Sequence, residues 1–355
     1  MEGTAIHDLE TPAVLIDLDV VEVNIQHAQS LFDDLGIGFR PHIKTHKLPF
    51  LAELQMKQGA IGIAAQKVSE AEVFVAAGFT DILLCFNLLS PAKIARVRTM
   101  TDQAHMTVVV DNLDVVRALS GGMAGAAVPL DVLVECDTGM GRCGVQSPED
   151  AADLALAISA APGLRFAGLM TDPAPGAAAR VQAFLAAARD LCIAAVGSCD
   201  VISGGGTPSL MDAGLSPILT EYRAGTYIYN DRSLVERGAC TLADCALTVL
   251  ATVVSRPTAT RAILDSGSKS LTSDLLGLDG YGTILGYLQA RIMGLSEEHG
   301  NVDLTDCIQR PVVGQKVQIV PNHACPVSNL VDRVVFHRSG VVLREADVAA
   351  RGCVT

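Results

Sequence analysis

The sequence predicts an α/β protein, a (β/α)8 TIM-type barrel joined to a second, mostly β domain. Three observations carry this. Short apolar runs alternate with Ala-rich stretches of helical period up to about residue 240. Beyond that point the helical period fades into strand-like alternation broken by Gly and Pro. The 355 residues exceed the roughly 150 of one ordinary domain.

Taken in order, strands are expected at 38–43 (GFRPHI), 60–65, 81–86, 106–110, 130–136, 165–170, 199–203 and 219–224. Helices are expected between them at 46–58, 68–77, 90–99, 113–119, 147–160, 176–196 and 207–213. The segment 151–163 (AADLALAISAAPG) shows the logic: Ala and Leu favour the helix, and Pro162-Gly163 stops it. Eight strands, each with a helical crossover, fit a closed parallel barrel. An open doubly wound sheet uses the same units and stays as the alternative. After residue 240, the stretches 245–265 and 310–345 alternate in β fashion. The amino-terminal run 12–18 (PAVLIDL) reads as a strand, followed by a helix over 19–35. Because chain termini often lie close together, that first strand is expected in the carboxy-terminal sheet. The expected division is a barrel over 19–240 and a β domain built from 1–18 and 241–355.

Hydrophobic residues make up 50% and charged residues 18%, which excludes a disordered chain. The net charge of −13 is interrupted by no Lys/Arg run, so neither nucleic acid nor an anionic membrane is an expected partner. Apolar runs stop short of the ~18 residues of a membrane span, and the start MEGTAIHDLETP lacks the pattern of a secretory signal. The ten cysteines, at 85, 136, 143, 192, 199, 240, 245, 307, 325 and 353, form no CxxC pair. They suit small buried hydrophobes in a reducing compartment, and the expectation is a cytoplasmic protein.

Four constellations carry chemistry. Lys44, in Arg40-Pro-His-Ile-Lys-Thr-His-Lys47, ends the first barrel strand, at the face where barrel active sites collect. A desolvated lysine there is a nucleophile for imine chemistry; the other reading is a lysine that snorkels into solvent. Ser203-Gly204-Gly205-Gly206-Thr207 follows the seventh strand, and Arg223-Ala-Gly225-Thr226-Tyr227 follows the eighth. These are the two places where barrels hold phosphate, through glycine backbone N–H groups and a helix N-terminus. The phosphate could belong to a substrate or to a cofactor, and a lone glycine run is often only a turn. Gly139-Met-Gly-Arg142-Cys-Gly144, after the fifth strand, offers Arg142 as a fixed cation at the barrel mouth, or else a surface arginine in a turn. His323-Ala-Cys325 places two soft ligands at i and i+2 on an expected extended segment, a donor pair for Zn²⁺ more than for Mg²⁺ or Ca²⁺; a lone His beside a buried Cys is the alternative.

Together, RPHIKTHK, QKVSEAEVFVAAG, TGMGRCG, SGGGT, EYRAGTYIYND, SEEHG and PNHACPVSNLVD resemble, in family order and over nearly the whole chain, the fold-type III pyridoxal-phosphate enzymes of the D-threonine aldolase, 3-hydroxy-D-aspartate aldolase and D-serine dehydratase group. The resemblance implies an alanine-racemase-like barrel plus β domain, usually as a homodimer, and a D-configured 3-hydroxy amino acid as substrate. It implies Lys44 as the Schiff-base lysine, Gln66 near the cofactor ring and Arg142 at its phenolic oxygen. Ser203 to Thr207 and Gly225 to Tyr227 would hold the phosphate, with Arg223 a candidate for the pyridine nitrogen. His323 and Cys325 would bind a divalent metal (Zn, Mn or Mg) beside the substrate's β-hydroxyl. His46 and Glu298 fall in shared motifs without an assigned role.

The stretch QKVSEAE, the Asn87…Lys93 region and the NLVD…ARG ending look like the aldolase branch, whereas His-x-Cys resembles the dehydratases. The chain also departs from the family after the sixth strand: Gly168-Leu-Met-Thr-Asp-Pro-Ala-Pro175 has no Tyr or His where a Tyr-containing stretch is typical. An aldolase giving glycine and an aldehyde is the expected activity. A dehydratase giving a 2-oxo acid and ammonia, a non-catalytic pyridoxal-phosphate-binding protein, and a barrel enzyme acting on a phosphorylated substrate without that cofactor are the alternatives.

Overall fold

The computed structural model describes residues 2–355. Its contacts divide the chain into two compact units, one of residues 28–44, 49–225 and 353–355, the other of residues 1–27, 45–48 and 226–352. In chain order, β1 (Ala13–Asp17) leads into the long helix α1 (Leu18–Leu35).

The first unit is then built from β2 (Gly38–Phe39), α2 (Pro49–Gln58), β3 (Ile63–Ala65), α3 (Val68–Ala76), β4 (Asp81–Leu84), α4 (Pro91–Met100), β5 (His105–Val110), α5 (Leu113–Met123), β6 (Leu130–Cys136), α6 (Pro148–Ala160), β7 (Leu164–Thr171), α7 (Ala178–Val196), β8 (Val201–Gly204) and β9 (Glu221–Tyr222). All eight expected barrel strands are present and pair in parallel, in the order β2-β9-β8-β7-β6-β5-β4-β3. The two ends of that order meet. Ile61 and Ala64 donate backbone bonds to Phe39 and Pro41, and Ile43 donates to Ala64 at 2.9 Å, with a parallel bridge between His42 and Ala64. This closure excludes the open doubly wound sheet. Inside it, Ala64, Leu83, Val109, Leu133 and Met170 pack as one buried layer.

Two helix expectations change. The helix expected from residue 46 starts at Pro49, whose fixed φ suits the first helical position. The segment after the glycine loop is a 3₁₀ helix, Thr207–Leu215, kinked at Ser209, where the backbone leaves helical geometry.

The second unit continues with α8 (Arg232–Glu236), β10 (Leu247–Thr258), β11 (Arg261–Leu264), α9 (Ser268–Leu271), β12 (Thr283–Ile284), β13 (Arg291–Leu295), β14 (Gly300–Asp303), β15 (Lys316–Val320), α10 (Ala324–Leu330), β16 (Arg333–Arg338) and β17 (Val341–Asp347). Its nine-stranded sheet is mostly antiparallel. β1 lies inside it, antiparallel to β10 and parallel to β16. Leu15, Leu250, Val335 and Val342 close the core there with Ile6 and Leu9. Among the described residues, no helix is long and apolar enough to cross a membrane.

Candidate active site

Lys44 follows the first barrel strand, whose backbone keeps pairing past β2: Arg40 N–H donates to Tyr222 O and His42 N–H to Ala224 O, both at 2.9 Å. His42, Ile43 and Thr45 are buried and Lys44 is exposed, which matches the reading of a lysine that reaches into solvent and not that of a desolvated one. Its position is set by a relay that sequence reasoning missed. Gln66 Nε2 donates to Cys85 O at 2.7 Å, Gln66 Oε1 faces His42 Nε2 at 3.1 Å, and His42 Nδ1 accepts the N–H of Lys44 at 3.3 Å. Because Nδ1 accepts, Nε2 carries the proton, and the ring orients both Gln66 and the lysine's backbone.

Arg223, the residue after β9, lies buried across the barrel mouth. Its Nε donates to Ser203 Oγ at 2.8 Å, Nη2 to Thr171 O at 2.5 Å, and Nη1 faces Cys85 Sγ at 3.7 Å. Burial pushes the Cys85 thiol up, while the charges of Arg223 and Lys44 pull it down, so both cations stand over the same thiol. In the glycine loop, Gly205 adopts φ +100°, and a Cβ there would come within 2.3 Å of the Tyr222 ring, whose hydroxyl donates to Gly206 O at 2.9 Å. Only glycine fits that cradle. The loop between β6 and α6 is wrapped on Asp137, whose Oδ1 accepts from Gly139 N and Gly141 N; those bonds hold its carboxyl below the usual range. Arg142 projects from this loop and pairs with Asp172 Oδ2 at 2.7 Å. Thus an acidic residue stands in the stretch that lacks the family tyrosine. Beneath it, buried Glu135 has its carboxyl pushed up by burial and pulled down by Arg142 and Arg223. Neither Glu135 nor Asp172 was singled out in the sequence.

The His323/Cys325 pair forms by a different geometry from that expected. The segment is not extended: His323 precedes α10 and Cys325 lies in its first turn. Pro326 is tolerated there, and buried Asp231 accepts the Ala324 N–H at 3.0 Å, anchoring the turn. His323 Nδ1 meets Asp274 Oδ2 at 2.7 Å. Burial opposes an imidazolium, but hydrogen bonds to Cys325 and Asp274 and the charges of Cys325 and Asp231 raise His323 to about 9. Burial also opposes a thiolate at Cys325, yet His323, with the hydroxyls of Thr226 at 3.5 Å and Thr45 at 3.1 Å, holds it below its ordinary value. The Thr226 side chain therefore serves the thiol, leaving its backbone for any phosphate. Tyr227 is buried in the short 3₁₀ turn Thr226–Ile228. His46 is buried and accepts Leu48 N–H; Glu298 pairs with Lys269 at the surface.

Two tests bear on whether the expected groups fit. Among the described residues no cluster of three or more His, Cys, Asp or Glu forms a complete metal cage, so the protein offers a donor pair. Beside Cys325, the fully buried Tyr229 hydroxyl has no hydrogen-bond partner. An unsatisfied buried hydroxyl beside the Cys325 sulfur fits a cation with bound water. In the barrel, a glycine cradle and two arginines, Arg142 and Arg223, fit an anionic cofactor.

A closed parallel barrel with a lysine after its first strand, carried together with a β domain, defines an alanine-racemase-like protein. The sequence matches the family described as alanine racemase, N-terminal domain, over residues 16–233, and a serine dehydratase domain family over residues 246–337. The chain belongs to this family, within the group that contains D-threonine aldolase. D-threonine aldolase of Arthrobacter sp. is 37% identical over 99% of this chain and 95% of that protein. The D-threo-3-hydroxyaspartate dehydratase of Delftia sp. is 32% identical over 89% of this chain and 91% of its own length. The crystal structure of D-threonine aldolase from Filomicrobium marinum superposes with a TM-score of 0.90 at 34% identity, covering 100% of this chain and 99% of that one.

Proposed function

We propose that the protein is a pyridoxal-phosphate- and divalent-metal-dependent lyase that cleaves D-3-hydroxy amino acids, of the D-threonine or 3-hydroxy-D-aspartate type, to glycine and an aldehyde. The observation that supports this is the donor set His323 and Cys325 beside the unpartnered Tyr229 hydroxyl, in a chain that also carries a lysine after its first barrel strand. A β-hydroxyl is the substrate group that needs a Lewis acid, and whole-chain identity to an aldolase supports the outcome.

Lys44 would hold the cofactor through Nζ. The backbone of Ser203, Gly204, Gly205, Gly206, Thr207, Gly225, Thr226 and Tyr227 would hold its phosphate. Arg142 would face its phenolic oxygen, and Gln66, fixed by His42 and Cys85, would lie against the ring. A guanidinium has donors and no acceptor, so Arg223 beside the pyridine nitrogen would donate a hydrogen bond and leave that nitrogen unprotonated. When bound, the cofactor supplies an electron sink at the amino-acid carbon, and the cation lowers the pKa of a bound hydroxyl. His323 and Cys325 would fix that cation, with zinc the best match to an imidazole and a thiolate over manganese or magnesium.

The dehydratase outcome is favoured by one feature, the His-x-Cys donor pair, and by 32% identity to a dehydratase. Incubation with D-threonine, D-serine and D-threo-3-hydroxyaspartate separates the two. Glycine with an aldehyde is the expected product, and 2-oxo acid without glycine overturns the aldolase assignment. The working form is a cytoplasmic homodimer, tested by sedimentation. The unit of residues 28–44 and 49–225 would carry most of the cofactor contacts, and the unit that holds residues 226–352 would carry the metal motif.

A further inference from the structure

We propose that Asp274 is a positioning residue of the metal site: it grips His323 through Nδ1 and so presents Nε2 to the cation. The proposal rests on His323 and Cys325 being the metal donors. Asp274 lies 49 residues before His323 in the chain, yet its Oδ2 is 2.7 Å from the ring nitrogen. That spacing is built rather than incidental. Asp274 N–H donates to Thr272 Oγ1 at 2.8 Å, and Thr272 holds a positive φ of 65° rare for a β-branched residue. Asn322, buried and adjacent to His323, donates its amide to Asp274 O at 3.1 Å and Gly280 O at 2.8 Å. Its Oδ1 accepts from Arg232 Nη1 at 3.2 Å, and the same nitrogen donates to Asp279 O at 2.7 Å. One side-chain amide thus ties the 274–280 segment to the residue before the histidine, so carboxylate and ring move together.

A carboxylate on Nδ1 fixes the tautomer, orients the ring plane and raises the basicity of Nε2, and such partners contribute about 10–100-fold to metal affinity. The Asp274 side chain is 45% exposed, and a pair so solvated contributes little to folding. The two roles therefore separate.

The test uses the full chain loaded with pyridoxal phosphate, stripped with a chelator and titrated with Zn²⁺ against a chromophoric competitor. Asp274→Ala is expected to weaken zinc binding about 10–100-fold, with the unfolding midpoint and the cofactor absorption band unchanged. Asp274→Asn, which keeps an oxygen for Nδ1–H, is expected to fall between Ala and the parent, and it serves if the Ala variant folds poorly. Zinc affinity in both variants equal to the parent, while His323→Ala abolishes binding, overturns the positioning role alone. Undiminished zinc binding in His323→Ala and Cys325→Ala overturns the metal assignment, and the Asp274 role with it.

Discussion

Tyr229 is the residue whose environment makes sense only if something is added to it. Its hydroxyl is buried without a partner, and burial together with the neighbouring Cys325 charge pushes the phenol up. An unmade hydrogen bond costs about 1–3 kcal/mol. Tyr229→Phe is therefore expected to leave the metal-free protein as stable as the parent or up to about 1 kcal/mol more so, while lowering zinc affinity. A loss of more than about 1 kcal/mol in urea unfolding of the metal-free variant counts against the reading. At this scale the sequence pointed to compact motifs, at Lys44, Arg142, Arg223, His323 and Cys325. It was opaque where a partner comes from a distant loop: Asp274, Asp172 and Glu135 acquire meaning only from the neighbours the fold supplies. For Lys44 the sequence left a covered and a solvent-reaching lysine both open, since strand-end position does not specify what covers a side chain.

At the scale of elements, the barrel is stapled at the N-terminal ends of its strands by a chain of charges. Arg40, from the segment after β2, bonds Glu221 at the start of β9 at 2.9 Å and reaches past β3 to Asp81 on β4 at 2.5 Å. Gly62 makes the crossing possible, because a Cβ there would lie 2.3 Å from Arg40 Nη1. His105 on β5 continues to Asp131 on β6 at 2.8 Å, and Asp131 is gripped by Arg165 on β7. The staple spans the seam where the last strand meets the first. Arg40→Ala strands the buried Glu221 carboxylate and is expected to cost about 3–5 kcal/mol in denaturant unfolding. Adding Glu221→Gln should recover part of that; no recovery would mean that Arg40 acts through packing alone. Periodicity exposed the eight strands because most of their residues are buried, giving short apolar runs in place of alternation. It failed at α10, a short helix inside a strand-like region. There the deciding bond is Asp231 to the Ala324 amide, made by a residue 93 positions away.

For the whole molecule, alternation and its abrupt end foretold both architectures, and the placement of β1 in the carboxy-terminal sheet followed from a general habit of termini. A chain starting after Asp17 would leave β10 and β16 without the strand between them. It is expected to show rapid proteolysis within 241–352 and loss of zinc binding, with fragments of the barrel persisting longest; uniform digestion of both units would contradict this.

The same strand also sets a clock on biosynthesis. β1 leaves the ribosome ahead of every barrel strand, yet its parallel neighbour β16 ends at Arg338. At roughly 5–20 residues per second, the apolar Ala13–Asp17 segment waits some tens of seconds for its partner. During that interval the barrel can already close, while a hydrophobic strand with two open edges remains the part of the nascent chain most in need of a chaperone.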